Sequence, residues 1–264
     1  MAKSGGAYFP VATRRQGPYG IVCSRPSGLP AFRPARRPTT RQPVSCVKSF
    51  QDSQLYTFVD TAYLDGRDPI ELARALCGGG SDVLQLRAKG ASREQVMAMA
   101  ADLLPVTSAA GIPLVINDHP EVARAVGAAA CHLGQEDFFD RGHVQASEVT
   151  RPQGASPLLL GLSTHAPAQA ARAVSARPDY IAIGPVYATA TKPGARPVTL
   201  DYVRWAAGHL TIPWFVIGGI NQETLEEVIE AGATRICVVS AILRAPDVGK
   251  ACQRFKERIA SATR

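Results

Sequence analysis

From residue 53 onward the chain repeats one unit: a short apolar run with β character, a polar or glycine-bearing turn, then an alanine-rich stretch of helical periodicity. The apolar runs cover Leu55 to Val59, Val83 to Leu86, Leu114 to Ile116, Ala130 to Leu133, Leu158 to Leu162, Tyr180 to Ile183, Trp214 to Ile217 and Ile236 to Val239, eight in all. Helix-like segments between them include Pro69 to Leu76, Arg93 to Leu104, Glu121 to Val126, Pro167 to Val174 and Glu223 to Ala231, several closed by glycine. Strands alternating with helices imply right-handed crossovers and a parallel sheet, and eight units suffice to close a (β/α)8 TIM barrel. An open, doubly wound α/β sheet is the competing architecture.

The placement of polar residues favours the barrel. Nearly every apolar run is followed by groups capable of chemistry: Asp60; Gln85, Arg87 and Lys89; Asn117 and Asp118; Gln135 and Asp137; Ser163; the loop from Gly184; Gly218 and Gly219; Ser240. A barrel brings all of these strand ends to one rim, whereas an open sheet would spread them along an edge.

Charge separates the repeat from what precedes it. Nine of the 29 Lys and Arg residues, and none of the 22 Asp and Glu, lie in residues 1–51, so the remainder carries about −2 and offers no argument for nucleic acid as a partner. The first 52 residues, rich in Arg, Pro and Ser, are expected to be a disordered extension, too poor in apolar surface to offset the entropy of ordering. Their composition also resembles an organelle transit peptide, although seven prolines suit an amphipathic helix badly. No apolar stretch is long enough to span a membrane, and the six cysteines form neither a C-x-x-C pair nor a cluster at metal spacing. A reducing, cytoplasmic setting without disulfides or zinc is expected, with an organelle stroma as the alternative; a homo-oligomer is left open.

Three stretches carry the chemistry. In "LQLRAKG" the alternation of a strand turns Gln85, Arg87 and Lys89 to one side, and Arg with Lys suits a polyanion. In "VINDHP" and "CHLGQEDFF", Asp118 and Asp137 follow consecutive strands and can meet across the rim; two carboxylates without a thiolate suit a hard cation such as Mg2+, or a general acid/base pair. Asp118 also stands where the next helix needs an N-cap, while His119 and His132 read as structural. In "GPVYATATKPG", Thr189, Thr191 and Lys192 on a turn make a phosphate cradle, which Gly219 of "VIGGIN" and Ser240 of "CVVSAI" extend as in phosphate-binding barrels.

The motifs "QLRAK", "NDH", "HLGQED", "GLSTH", "DYIAIGPVYATATKPGA", "VIGGIN" and "VVSAI", in this order across residues 55–243, resemble those of the thiamine-phosphate synthase (thiamine phosphate pyrophosphorylase) family. The resemblance implies a synthase domain over residues 53–264. It implies that Gln85, Leu86, Arg87, Ala88, Lys89, Asn117, Ser163 and Lys192 bind a pyrimidine diphosphate, with Arg87, Lys89, Lys192 and Ser163 serving catalysis. It further implies Mg2+ on Asp118 and Asp137, and a thiazole phosphate on Thr189, Ala190, Thr191, Gly219, Val239 and Ser240. Ala88 departs from the family's usual Glu. The partners would be small molecules, with neither nucleic acid nor membrane among them. A related thiazole tautomerase would have no need of a diphosphate-metal site, and a non-catalytic precursor sensor would have eroded metal ligands.

Overall fold

The structure, a computed structural model, describes residues 47–155, 157–189 and 196–262. Eight strands, β1 (Leu55–Asp60), β2 (Val83–Arg87), β3 (Leu114–Asn117), β4 (Ala130–Gly134), β5 (Leu159–Thr164), β6 (Tyr180–Ile183), β7 (Trp214–Val216) and β8 (Ile236–Cys237), form a closed barrel in chain order. Every adjacent pair is parallel, and β1 pairs with both β2 and β8. The open-sheet alternative is excluded. The intervening helices are α1 (Pro69–Gly78), α2 (Arg93–Ala110), α3 (Pro120–Val126), α4 (Gln135–Phe139), α5 (Ala146–Thr150), α6 (Pro167–Ser175), α7 (Thr199–His209), α8 (Leu225–Glu230), α9 (Ser240–Leu243) and α10 (Val248–Ala262). None of the described helices is long and apolar enough to cross a membrane.

Local chemistry accounts for several helix ends. Ser92 and Gln95 form a reciprocal capping box at the start of α2, and Asp68 caps α1 by accepting the Ile70 N–H at 3.0 Å. The sequence pattern stops α2 at Leu104, before Pro105, yet the helix runs on to Ala110. Leu103 and Thr107, on either side of the proline, are both buried, and packing outweighs the hydrogen bond that proline cannot make.

Alternation sorts each strand into two faces, with β-branched and aliphatic residues such as Val59, Leu84, Leu86, Ile116 and Leu133 buried in the core. The lower interior of the barrel is aromatic instead. Phe50 stacks on Tyr180 with centroids 4.4 Å apart, and Phe215 meets Tyr56 and Tyr180 edge-on at 5.2 and 5.6 Å. Composition puts residues 47–52 in the extension, but Phe50 is buried and packs on Tyr180 and Phe215 at the barrel floor. Lys48 adds an N–H bond to the Gly111 carbonyl and an ion pair to Asp82. An aromatic side chain five residues before the first strand fills a place in the core that composition alone does not reveal. Asp82 also binds Lys256 of α10 at 2.6 Å and accepts the N–H groups of Gln54 and Leu55, tying both ends of the barrel domain to the floor.

Candidate active site

At the opposite, C-terminal end of the strands lies a cavity of about 280 Å³. Gln85, Arg87 and Lys89 all line it, as their spacing requires. Arg87 Nη1 donates to Asp60 Oδ2 at 2.8 Å, and Asp60, 1% exposed, also accepts the Ala62 N–H at 3.0 Å. Asp60 is therefore the buried counter-ion that aims Arg87 and does not itself line the cavity. Lys89 pairs with Asp118. Leu86 is buried in the core, and Ala88 lines a neighbouring pocket of about 300 Å³ beside His119 and Arg141, so neither side chain reaches the main cavity.

Asn117, Asp118 and Asp137 stand on the same cavity wall. Asp118 is not the N-cap of α3. His119 occupies that position, with no side-chain cap bond, while Asp118 takes a left-handed conformation (φ 66°) and donates its N–H to the His132 carbonyl at 2.9 Å. A non-glycine residue held there is strained, and the effect is to leave the Asp118 carboxylate at the rim with Lys89 instead of against the helix. Asp137 lies in the first turn of α4, and a Cβ added to Gly134 would come within 2.9 Å of its Oδ2. Glu136 also lines the cavity, whereas Gln135 is buried away from it. Among the described residues, no three His, Cys, Asp or Glu side chains are grouped to hold a metal ion. Two carboxylates on one wall remain an all-oxygen donor set, which fits a hard cation that fills its other positions with water and phosphate oxygens.

The other wall comes from the last three strands. The loop after β6 is zipped to the end of β7, with the Val186 and Tyr187 N–H groups donating to the carbonyls of Ile217 and Gly218 at 2.9 and 3.0 Å. Gly218 and Gly219 have φ of 109° and 67°, and a Cβ on Gly218 would sit 2.3 Å from Pro185, so neither position accepts a side chain without displacement. Thr189, Gly219, Val239 and Ser240 line the main cavity. Thr189, Gly219 and Ser240 are shared with a shallower pocket of about 440 Å³ that adds Asn221 and Arg244. Ala190, Thr191 and Lys192 lie outside the described residues.

A polar layer separates this cavity from the aromatic floor. Gln85 Nε2 donates to the Tyr56 hydroxyl at 2.7 Å, the hydroxyls of Tyr56 and Tyr180 are 3.0 Å apart, and Tyr180 lies 3.1 Å from His132 Nδ1. His132 Nε2 is 2.8 Å from Ser163 Oγ. His132, read from sequence as structural, thus lines the cavity and holds a residue of the site. Burial pushes both tyrosine hydroxyls well above their ordinary pKa, and it also raises the thiols of Cys131 and Cys237. Tyr56, Phe58, His132, Glu136, His165 and Arg244 escaped the sequence reading. Period-two alternation could have found His165, two residues beyond Ser163.

Comparison with known proteins agrees with this geometry. The family model described as thiamine monophosphate synthase matches residues 55–242. A thiamine-phosphate synthase of Thermus thermophilus is 44% identical over 187 residues, 70% of this chain and 86% of that protein. The enzyme of the same name from Shouchella clausii is 38% identical over 201 residues, 76% of this chain and 93% of that protein. The solved thiamine phosphate pyrophosphorylase of Pyrococcus furiosus superposes with a TM-score of 0.69 at 26% identity, covering 79% of this chain and 96% of that one. The chain belongs to the thiamine monophosphate synthase family.

Proposed function

We propose that this cavity condenses 4-amino-2-methyl-5-hydroxymethylpyrimidine diphosphate with 4-methyl-5-(2-phosphoethyl)thiazole to give thiamine phosphate and pyrophosphate, or with its carboxylated form to give the same products and carbon dioxide. The observation that carries the reading is one cavity with two unlike anion walls. Arg87 and Lys89 stand beside Asp118 and Asp137 on the first four strands, while glycine and hydroxyl groups line the last three. Two phosphorylated substrates, one carrying a leaving group, need such a division.

In the reaction the pyrimidine methylene loses its bond to the diphosphate oxygen, which departs with the electron pair, and the methylene forms a bond to the thiazole nitrogen. No protein nucleophile is required. Arg87, steadied by Asp60, and Lys89 neutralise charge developing on the leaving oxygens, together with Lys192 as the resemblance implies. Asp118 and Asp137 would hold Mg2+, which adds positive charge against the same diphosphate. Lys89, paired with Asp118 and half exposed, stands where its ammonium can reach a phosphate oxygen in the cavity. Ser163 and Gln85 hold the pyrimidine ring, and Thr189, Gly219, Val239 and Ser240, with Ala190 and Thr191, hold the thiazole phosphate so that its nitrogen faces the methylene.

Incubating the purified protein with both substrates and Mg2+ tests the reading, with chromatographic detection of thiamine phosphate and pyrophosphate in equal amounts as the expected result. Isomerisation of a thiazole phosphate without condensation would overturn it in favour of a tautomerase.

A further inference from the structure

The buried layer between cavity and floor has a property that none of its members has alone. Gln85, Tyr56, Tyr180, His132 and Ser163 come from five different strands and form one unbroken hydrogen-bonded chain with links of 2.7, 3.0, 3.1 and 2.8 Å. Gln85 and Ser163, its two ends, line the cavity, while Tyr180 at the centre is fully buried and does not. Space for the central junction is kept by Gly161, where a Cβ would fall 2.5 Å from the Tyr180 hydroxyl and 2.6 Å from His132 Nδ1.

Each tyrosine hydroxyl has one proton to donate, and a neutral imidazole carries one N–H. With Gln85 Nε2 donating to Tyr56, the Tyr56 proton goes to Tyr180 and the Tyr180 proton to His132 Nδ1. The imidazole proton then sits on Nε2 and is donated to Ser163 Oγ. The cavity is left with an acceptor, Gln85 Oε1, at one end and a donor, the Ser163 O–H, at the other. Turning the Gln85 carboxamide reverses every link and exchanges both ends together. Burial keeps both phenols protonated, so the chain cannot break its direction by losing a proton in the middle.

We infer that this chain couples Gln85 to Ser163 as a single recognition unit for an aminopyrimidine, whose exocyclic amino donor and adjacent ring-nitrogen acceptor match the acceptor and donor that one direction of the chain presents. Tyr56, Tyr180 and His132 are positioning residues in this unit. The inference rests on the substrate assignment proposed above and goes beyond it by making recognition at the two ends interdependent.

A double-mutant cycle decides it, with pyrimidine diphosphate and Mg2+ as the titrated ligand and binding measured by calorimetry on the full chain. In the wild-type background, Gln85→Ala and Ser163→Ala should be non-additive, the double variant binding about tenfold better than the product of the single effects. In a Tyr180→Phe background the same cycle should become additive, because the ring volume stays and only the central link is gone. Tyr56→Phe, cutting the adjacent link, should do the same and serves if Tyr180→Phe does not fold. Additivity in the wild type, or non-additivity that survives a cut link, overturns the coupling. Absence of saturable pyrimidine diphosphate binding by the wild-type protein would instead overturn the substrate assignment.

Discussion

The two ends of the barrel use the same kinds of residue for opposite purposes. At the floor, Asp82 is saturated: Lys48, Lys256 and two backbone N–H groups surround a residue that is 4% exposed, and Phe50 packs on Tyr180 and Phe215. At the rim, Asp118 pairs with a Lys89 that is 56% exposed, and both border the cavity. An ion pair with every valence met and no adjoining volume can only hold the fold together. An ion pair whose cation is solvated and whose neighbour is a cavity can exchange its partner for a ligand.

The sharpest attempt to break this comparison is to neutralise a carboxylate at each end. Asp118→Asn or Asp137→Asn is expected to lower Mg2+-dependent turnover by about a hundredfold or more with little change in melting temperature. Steady-state kinetics across a Mg2+ titration, read beside thermal unfolding, checks both halves. Shortening the chain attacks the floor next. Removal of residues 1–46 should leave activity and stability unchanged. Removal of residues 1–52 deletes Phe50 and Lys48 and should cost about 3 kcal/mol, lowering the melting temperature by roughly 6–12 °C.

Asp82→Asn should cost about 2 kcal/mol while leaving KM for both substrates unchanged, since none of its partners lines the cavity. The acid limb of stability should change with it. Burial alone would raise the Asp82 pKa, but Lys256, Lys48 and the two N–H groups outweigh burial and hold it below the ordinary aspartate value. A depressed folded-state pKa means that the stabilisation is complete above the unfolded value of about 3.9 and is lost as pH falls through the lower folded value. Denaturant unfolding between neutral pH and pH 2 should therefore show a weaker acid dependence in the variant. The smallest effect is expected from Arg244→Ala in the pocket shared with Thr189, Gly219 and Ser240. There KM for the thiazole phosphate should rise by about fivefold with kcat and the pyrimidine KM unchanged, the loss of one solvent-exposed cation near a phosphate.

Much of the rim was legible because strand alternation and chain order act locally. Once eight strands are placed, Gln85, Arg87 and Lys89 must share a face, and Asn117 and Asp118 must follow them around the rim. What escaped was of two kinds. Tyr56 and Phe58 are apolar in appearance and blend into a core strand, so nothing in their type marks them as cavity walls. His132 and Asp60 owe their roles to a partner on another strand: Ser163 and Arg87 respectively. Strand order places Asp118 at the rim, whereas the N-cap role that Pro120 and Glu121 also suggest for it falls to His119, because the Asp118 backbone is left-handed.

The amino-acid sequence by itself determined the closed parallel barrel, the end at which its chemistry gathers and the order of its two anion walls. These follow from periodicities of two and 3.6 residues and from the handedness of short crossovers, all of which are local. Tertiary structure alone decided that Phe50 belongs to the floor, that Asp60 is a counter-ion, and that five residues spread from Tyr56 to Tyr180 join in one hydrogen-bonded chain. Those outcomes depend on distances between strands remote in the chain, and on the missing Cβ of Gly161 that lets Tyr180 reach His132.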